Sequence, residues 1–556
     1  MLKKILPAFL LLSYFANVSA QDQKPDFGQL TGNFQTGSNF FIKDDKLGQL
    51  PPQYTRQLSS NESFLFLNYK VKGFDFNFRY DFFSNSNLLA PLASYSNHGI
   101  GFWSISKDVG KLNFTVGSFY DQIGAGLVFR AFEDRLIGID YAVQGVRVKY
   151  TLSDNFFVKA FVGNQKGFFN ATTLEDSRFN FSKQALSGVN AEKGFRLSGK
   201  INLNVGAGAV NRTLDDGTMS QLVTEINGMP LERRFIPKYN TYAFTGYTTI
   251  NLFEKVSMYF EYAHKTQEAL RNNLSTDLYS SQGKVLLGNI SYSTKGFGIN
   301  VQGRKIDKYQ FRSSPYNVLL NGIVTYMPAL TRQNTYRLLA RYNPFAQELG
   351  EEGIQADFTL TPEKNTTVTG NFSYVQSNGV QPGKTTKLFR EVYVDVNHKF
   401  NKNFKMTLGF QTIFYNQKIY ELNTSAPDVQ TLTPFGEFNY KISRKQSLRL
   451  EWQYLQTQQD QGSFVNALIE YNIAPKLSFA VGDMVNTAPV RTPGTPQELI
   501  SNEQIHYYTV FAAYQEGRTR FVAEYKKQVA GVNCTGGICR IEPAFNGVRV
   551  AVTTSF

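Results

Sequence analysis

Apolar and polar residues alternate with a period of two along most of the chain. Phe74, Phe76, Phe78, Tyr80 and Phe82 alternate with Asp75, Asn77, Arg79 and Asp81, and Leu448, Leu450, Trp452 and Tyr454 with Arg449, Glu451 and Gln453. Phe404, Met406, Leu408 and Phe410 keep the same rhythm, which recurs near 111–120, 155–163, 196–203, 366–374 and 518–526. Successive side chains of a strand point to opposite faces, so each segment predicts a strand with one apolar and one polar face. After residue 20 no run of roughly 18 or more apolar residues occurs, and no transmembrane helix is expected.

A soluble sandwich also alternates; the lengths of the connections separate the two cases. Short turns such as Lys72-Gly73, Ser153-Asp154-Asn155, Thr294-Lys295-Gly296, Asn401-Lys402-Asn403 and Glu516-Gly517 are interleaved with long polar stretches at 164–193, 213–239, 266–281, 416–432 and 485–504. Short turns at one rim and long loops at the other predict an all-β fold, a transmembrane antiparallel β-barrel with periplasmic turns and external loops. Both termini then face the periplasm, which requires an even strand number; about 26 strands are expected, within a range of about 22 to 26.

A barrel this wide cannot fill its interior with strand side chains alone, so the lumen holds water or loops folded inward. Two segments are too apolar for free external loops: Tyr120 to Tyr141 (YDQIGAGLVFRAFEDRLIGIDY) and Tyr316 to Leu330 (YNVLLNGIVTYMPAL). Inward folding and an extra strand or external cap both remain open for them. If the first folds inward, Arg130, Glu133, Asp134 and Arg135 are the candidate constriction residues, and opposed charges there set a transverse field that orders polar solutes.

The N-terminus sets the compartment. Lys3 and Lys4 precede an uncharged apolar stretch, Ile5 to Ala16, and Val18-Ser19-Ala20 supplies the small residues of a signal-peptidase site. Residues 1–20 are therefore expected to be a cleaved signal peptide, and 21–556 a single outer-membrane barrel domain. The mean hydropathy of −0.30 fits, because only alternate strand residues meet lipid. Aromatics make up 15% of the chain, which suits strands that end at a membrane–water boundary.

The net charge is +14, or +12 once Lys3 and Lys4 are removed with the signal. An exported protein rarely meets nucleic acid, so none is expected as a partner; phosphate-bearing outer-leaflet lipid and anionic solutes are the natural counterparts. Plain surface charge explains the surplus equally well.

Cys534 and Cys539 bracket Thr-Gly-Gly-Ile. In an oxidising compartment that pair predicts a disulfide, and no further Cys or His nearby completes a metal site. The chain stops at Phe556, with Val548, Val550 and Val552 on the same strand face. A last strand ending in an aromatic residue is what outer-membrane assembly machinery reads; Thr554 departs from the aromatic usual two residues earlier.

GSFYDQIGAGLVFRAFEDRLIGIDYAVQGVRVKY, TYMPALTRQNTY and CTGGICRIEPAFNGVRV resemble an uncharacterised family of Bacteroidota outer-membrane barrels over nearly the whole mature chain. The resemblance implies the barrel and its location and carries no activity. A TonB-dependent receptor carries a separate N-terminal plug, whereas strands here are expected to begin by Gly28, so that class is not expected. His98, His264, His398 and His506 are scattered, and no enzyme, cofactor or metal site is expected. Two functions remain. One is a channel or loop-gated transport protein for polar or anionic solutes. The other is a non-conducting platform for a lipoprotein or for a secretion or assembly machine.

Overall fold

The computed structural model describes residues 27–47, 54–89, 94–170, 175–271, 278–317, 321–381, 384–490, 504–535 and 538–556; the expected signal peptide lies outside them. Twenty-four strands pair antiparallel with their neighbours in chain order and form one sheet. The sheet closes on itself. Its first strand, Gln29–Phe41, pairs on one edge with Ser59–Val71 and on the other with the last strand, Phe545–Ser555. Closure leaves no unpaired edge, which is the condition for a sheet to cross a bilayer. The count falls within the expected range and two below its best value, because neither Tyr120 to Tyr141 nor Tyr316 to Leu330 crosses as a barrel strand.

Eleven connections of two to four residues lie at one rim, at 72–73, 110–111, 154–155, 199–200, 253–255, 295–296, 364–365, 400–403, 442–445, 474–476 and 517–518. The other rim carries the longer connections, except that the strands Thr366–Gln381 and Lys384–Lys399 are separated there by two residues. Two expected long loops are different: residues 181–193 of the expected loop 164–193 belong to the strand Phe181–Ser198, and most of 266–281 continues the strands Val256–Arg271 and Leu278–Thr294 beyond their neighbours. Arg271 pairs with Leu278 there, so polar residues continue the ladder past the apolar belt.

The alternation reads directly as inside and outside. Phe82, Ile100, Val162, Phe244, Leu286 and Val481 point outward and are 40–59% exposed. A continuous outer surface of this kind is incompatible with water and suits lipid. On the opposite face of the sheet Arg79, Asp81, Glu261, Glu391 and Gln453 point inward and are buried. Among the described residues no helix is long and apolar enough to cross a membrane.

The seam depends on one glycine. Gly32 N–H donates to Phe556 O (2.9 Å) and Phe556 N–H donates to Gly32 O (3.0 Å). A Cβ at Gly32 would overlap the Phe556 ring, so the absence of a side chain gives the C-terminal aromatic its seat.

Candidate functional site

The lumen holds two inserts that enter from the long-loop rim, 120–142 and, of 308–349, the described residues 308–317 and 321–349. The first follows the strand Leu112–Phe119 and consists of small hairpins, Asp121–Ile123 with Phe129–Ala131 and Glu133–Asp134 with Ile139–Asp140. The second has little regular structure; an isolated bridge joins Arg312 to Ile323. The two inserts hydrogen-bond to each other: Arg130 N–H donates to Val324 O (2.8 Å) and Tyr326 N–H to Gly126 O (3.0 Å).

Apolar contacts hold the first insert to one arc of the wall and the second insert to that arc and to another. Ile123, Leu127, Val128 and Phe129 of the first insert, with Tyr309, Phe311 and Val324 of the second, cluster with inward residues such as Phe161, Val210 and Val285. Leu330, Leu338 and Tyr342 of the second insert cluster with Phe389, Tyr415 and Phe464 of the opposite arc. Burying each side chain of this size contributes about 1.5–3 kcal/mol.

The charged contacts give the site its chemistry. Arg79 on the wall binds Asp81 through Nε (2.6 Å), Asp140 of the first insert through Nη2 (2.6 Å), and Glu133. Lys166, on another wall strand, reaches the same Asp140 at 2.8 Å, and Tyr120 Oη donates to its other oxygen at 2.9 Å. Two cations around a fully buried carboxylate draw the Asp140 pKa far below the usual carboxylate range against the opposing effect of its burial.

Glu261 takes the N–H of Ala125 (2.7 Å), and Thr245 Oγ1 donates to it at 2.7 Å. Gly124 turns above it with φ of +55°, where a Cβ would strike the Glu261 carboxylate. This accounts for the GAG sequence at 124–126.

The second insert is tethered in the same manner. Arg304 binds Glu351 (Nε, 3.2 Å) and donates to Pro328 O. Glu391 receives Thr331 Oγ1 (2.8 Å) and Arg332 N–H (3.1 Å) from the insert, and Asn371 (3.0 Å) and Gln411 (2.8 Å) from the wall. Gln453 accepts the Leu338 N–H at 2.7 Å. Arg341 pairs with Asp460 of an outer loop at 3.1 Å, and Tyr342 Oη donates to the same carboxylate at 2.9 Å. Arg212 binds Glu268 at 2.8 Å and donates to Arg312 O of the insert.

A helix of the long-loop rim, Asp216–Asn227, lies over the second insert. Asp215 caps it by accepting from Gly217 and Thr218 N–H, and Met219, Leu222 and Ile226 form its buried stripe. Its Glu225 pairs with Arg271 of the wall (2.7 Å) and accepts from Tyr316 Oη of the insert (3.0 Å).

The four expected constriction residues do not form one facing set of charges. Arg130 lies over the Tyr326 ring (3.9 Å to its centroid) and near Phe132 (4.9 Å). Glu133 is held by Arg79, with Arg135 3.9 Å away, and Arg135 itself covers Phe66 at 4.6 Å. Asp134 lies on the small strand paired with Ile139. Cys534 and Cys539 are directly opposite in a two-stranded hairpin, while their side chains lie outside the described residues. Val548, Val550, Val552 and Phe556 lie on the last strand and its end, with Val550 and Phe556 exposed. Sequence reasoning placed Arg79 and Asp81 on a polar strand face and missed Asp140, Lys166, Glu261, Arg304, Glu351 and Asp460 as anchors. The available signal was an excess of charge on inward faces opposite two apolar loops. Among the described residues no group of three or more His, Cys, Asp or Glu could hold a metal ion.

Residues 1–556 match a family described as a family of unknown function, DUF6029. The chain belongs to that family. No curated protein matches the sequence. Solved structures of similar fold are matched at low identity. The siderophore receptor PirA from Pseudomonas aeruginosa is 9% identical, with 96% of this chain and 81% of that chain covered and a TM-score of 0.42. The translocation pore of the P pilus usher PapC is 9% identical, with 95% and 99% covered and a TM-score of 0.43. An E. coli P pilus tip assembly intermediate, PapC-PapD-PapK-PapG, is 10% identical, with 97% and 63% covered and a TM-score of 0.47.

Proposed function

We propose that this DUF6029 protein is an outer-membrane transport barrel whose resting lumen is closed by its two inserts and opens when they are displaced. The observation that carries this reading is the polar character of the wall behind the inserts. Arg79, Asp81, Glu261, Arg304, Glu351 and Glu391 all belong to barrel strands and point inward. A lumen meant only to be filled has no need of buried charge, because well-packed apolar residues serve stability as well or better. When an insert leaves, these wall groups exchange their partners for water and line a hydrophilic passage. Polar or anionic solutes of medium size are the substrate class proposed.

A second reading has its own observation. The apolar clusters that fix both inserts favour a permanent plug, and with it a non-conducting platform that binds a lipoprotein or a secretion or assembly machine. Conductance in planar bilayers separates the two: the transport reading expects channel events that increase when 309–348 is replaced by a short turn. Silence from both folded proteins supports the platform.

The same proposal takes residues 1–20 as a cleaved signal and places the short turns and both termini in the periplasm. It joins Cys534 to Cys539 and assigns the chain to Bacteroidota. It gives the protein no enzymatic activity. It sets the chain apart from TonB-dependent receptors because its lumen is filled by loops between strands. Arg130 and Arg135 are the insert residues proposed to bias solute charge. Outer-membrane lipid and the assembly machinery are the general partners.

A further inference from the structure

The positive charge of this protein is concentrated at one rim. Within three residues of the eleven short turns there are 18 lysines and arginines against six aspartates and glutamates. That surplus of twelve equals the whole net charge of residues 21–556, so the rest of that chain is neutral. Every short turn except Ser153-Asp154-Asn155 carries a basic residue, and Lys72, Lys111, Lys200, Lys255, Lys295 and Lys364 are all exposed. Among the described residues the ion pairs at this rim are Lys70 with Asp75 (3.6 Å) and Lys476 with Glu516 (2.5 Å), which leaves most of the cations uncompensated.

Aromatic rings lie just inside this ring of charge on the lipid side. The Phe76 ring lies tilted between Tyr69 (6.1 Å between centroids) and Phe74 (5.9 Å). Lys107 Nζ lies 3.9 Å over Phe74, and Lys193 Nζ 5.1 Å from the Phe195 ring. Rings of this kind settle at headgroup depth, and a lysine stem lying along them carries its ammonium to the phosphate layer.

We propose that the short-turn rim is a basic collar that binds the phosphates of anionic phospholipids such as phosphatidylglycerol in the leaflet it meets. The distribution selects lipid over a protein partner. The cations surround the barrel at nearly every turn, as a lipid annulus does, whereas a docked protein needs an arc or a patch. The proposal rests on the outer-membrane reading, in which this leaflet is the inner, phospholipid one.

The test uses the full mature barrel reconstituted in phosphatidylcholine containing a minor share of phosphatidylglycerol. The annulus is excised with a membrane-active copolymer and its lipids are counted by mass spectrometry. A surface cation gives about a fivefold local preference for anionic lipid, so several-fold enrichment is expected in the annulus. Replacing Lys72, Lys200, Lys255, Lys295, Lys364 and Lys402 with serine should return the annulus to the bulk composition. Replacing Lys43, Lys183, Lys238 and Lys418 at the long-loop rim should leave the enrichment intact. A wild-type annulus of bulk composition overturns the proposal. So does a turn variant that keeps the enrichment, including one that instead loses an acidic protein from native purifications. Orientation is measured separately: a thiol at Lys402→Cys that reacts with impermeant reagents on intact cells overturns the leaflet assignment and leaves the phosphate chemistry to the annulus experiment.

Discussion

Arg79 of the barrel wall and Asp140 of the first insert meet at 2.6 Å with neither side chain open to solvent. Each has a further partner on the wall, Asp81 for the arginine and Lys166 for the aspartate, so the pair is one link in a network spanning wall and plug. Removing one member of such a network strands the others, which costs about 3–5 kcal/mol, more than the net worth of the pair itself. Arg79→Met should therefore release residues 120–142 while the surrounding barrel stays folded. Hydrogen exchange in vesicles should show faster exchange for that segment and an unchanged ladder in Val143–Ser153. Uniform protection in both would show that the apolar contacts hold the insert without the ion pairs.

Barrel closure makes a second prediction. Gly32→Val places a branched side chain where the Phe556 ring sits, so both this variant and deletion of Phe556 should yield less folded barrel. Val550→Lys faces lipid on the same strand and should cost about 2–4 kcal/mol if it lies near mid-membrane. Heat-modifiable migration on gels measures the folded fraction, and an unchanged fraction in all three variants contradicts the seam described here.

Glu421 gives the long-loop rim a dependence on pH. Burial, and then the nearby Asp460 carboxylate, push its pKa from the usual value of 4.5 up to about 7. The folded loop holds this proton more tightly than the unfolded chain does. Its packing is therefore firmest below pH 4.5, weakens as pH rises from there to about 7, and levels off above that. Asp460 also anchors Arg341 of the second insert, so loosening at this point is passed inward. Limited proteolysis should cut 416–428 faster at pH 8 than at pH 5, and Glu421→Gln should abolish the difference. Equal cutting of the wild-type loop at both values removes the coupling.

The hairpin at 531–542 places Cys534 opposite Cys539. A bridge there closes only a short loop, so its loss costs the fold little. Replacing both cysteines with serine should leave the barrel assembled, and thiol-reactive reagents should find no free cysteine in the wild-type protein prepared without reductant. Free thiols would remove the bridge.

The barrel was legible in the sequence because a sheet with lipid on one side and a polar lumen on the other writes a period of two into most of its strands, though not into Phe181–Ser198, whose first half reads as a polar loop. Phe74 to Phe82 and Leu448 to Tyr454 carry that pattern without interruption, and the turns at 72–73 and 401–403 end strands where expected. The plug was only half legible. IGAGLVFRAF announces a segment that must be buried, but nothing in its spacing says that Asp140 meets Arg79, which is 61 residues away in sequence. Such contacts depend on which strand lies across the lumen, which is a property of closure and not of local pattern. The second insert was recognised only at 316–330 because its flanks, 308–315 and 331–349, are mixed in polarity; wall carboxylate and amide oxygens accept from their backbone, Gln453 from Leu338 N–H and Glu351 from Gln347 N–H. The excess of strands over the observed 24 has the same origin, since a segment made apolar by burial in the lumen looks like one made apolar by lipid.

The most direct test of the account is single-channel conductance of the purified barrel carrying Arg79→Met together with a short turn in place of 309–348. Displacement of both inserts should produce stable openings in planar bilayers, with a reversal potential in a salt gradient that shows anion preference. A correctly folded double variant that never conducts would contradict the transport reading and leave the barrel a closed platform.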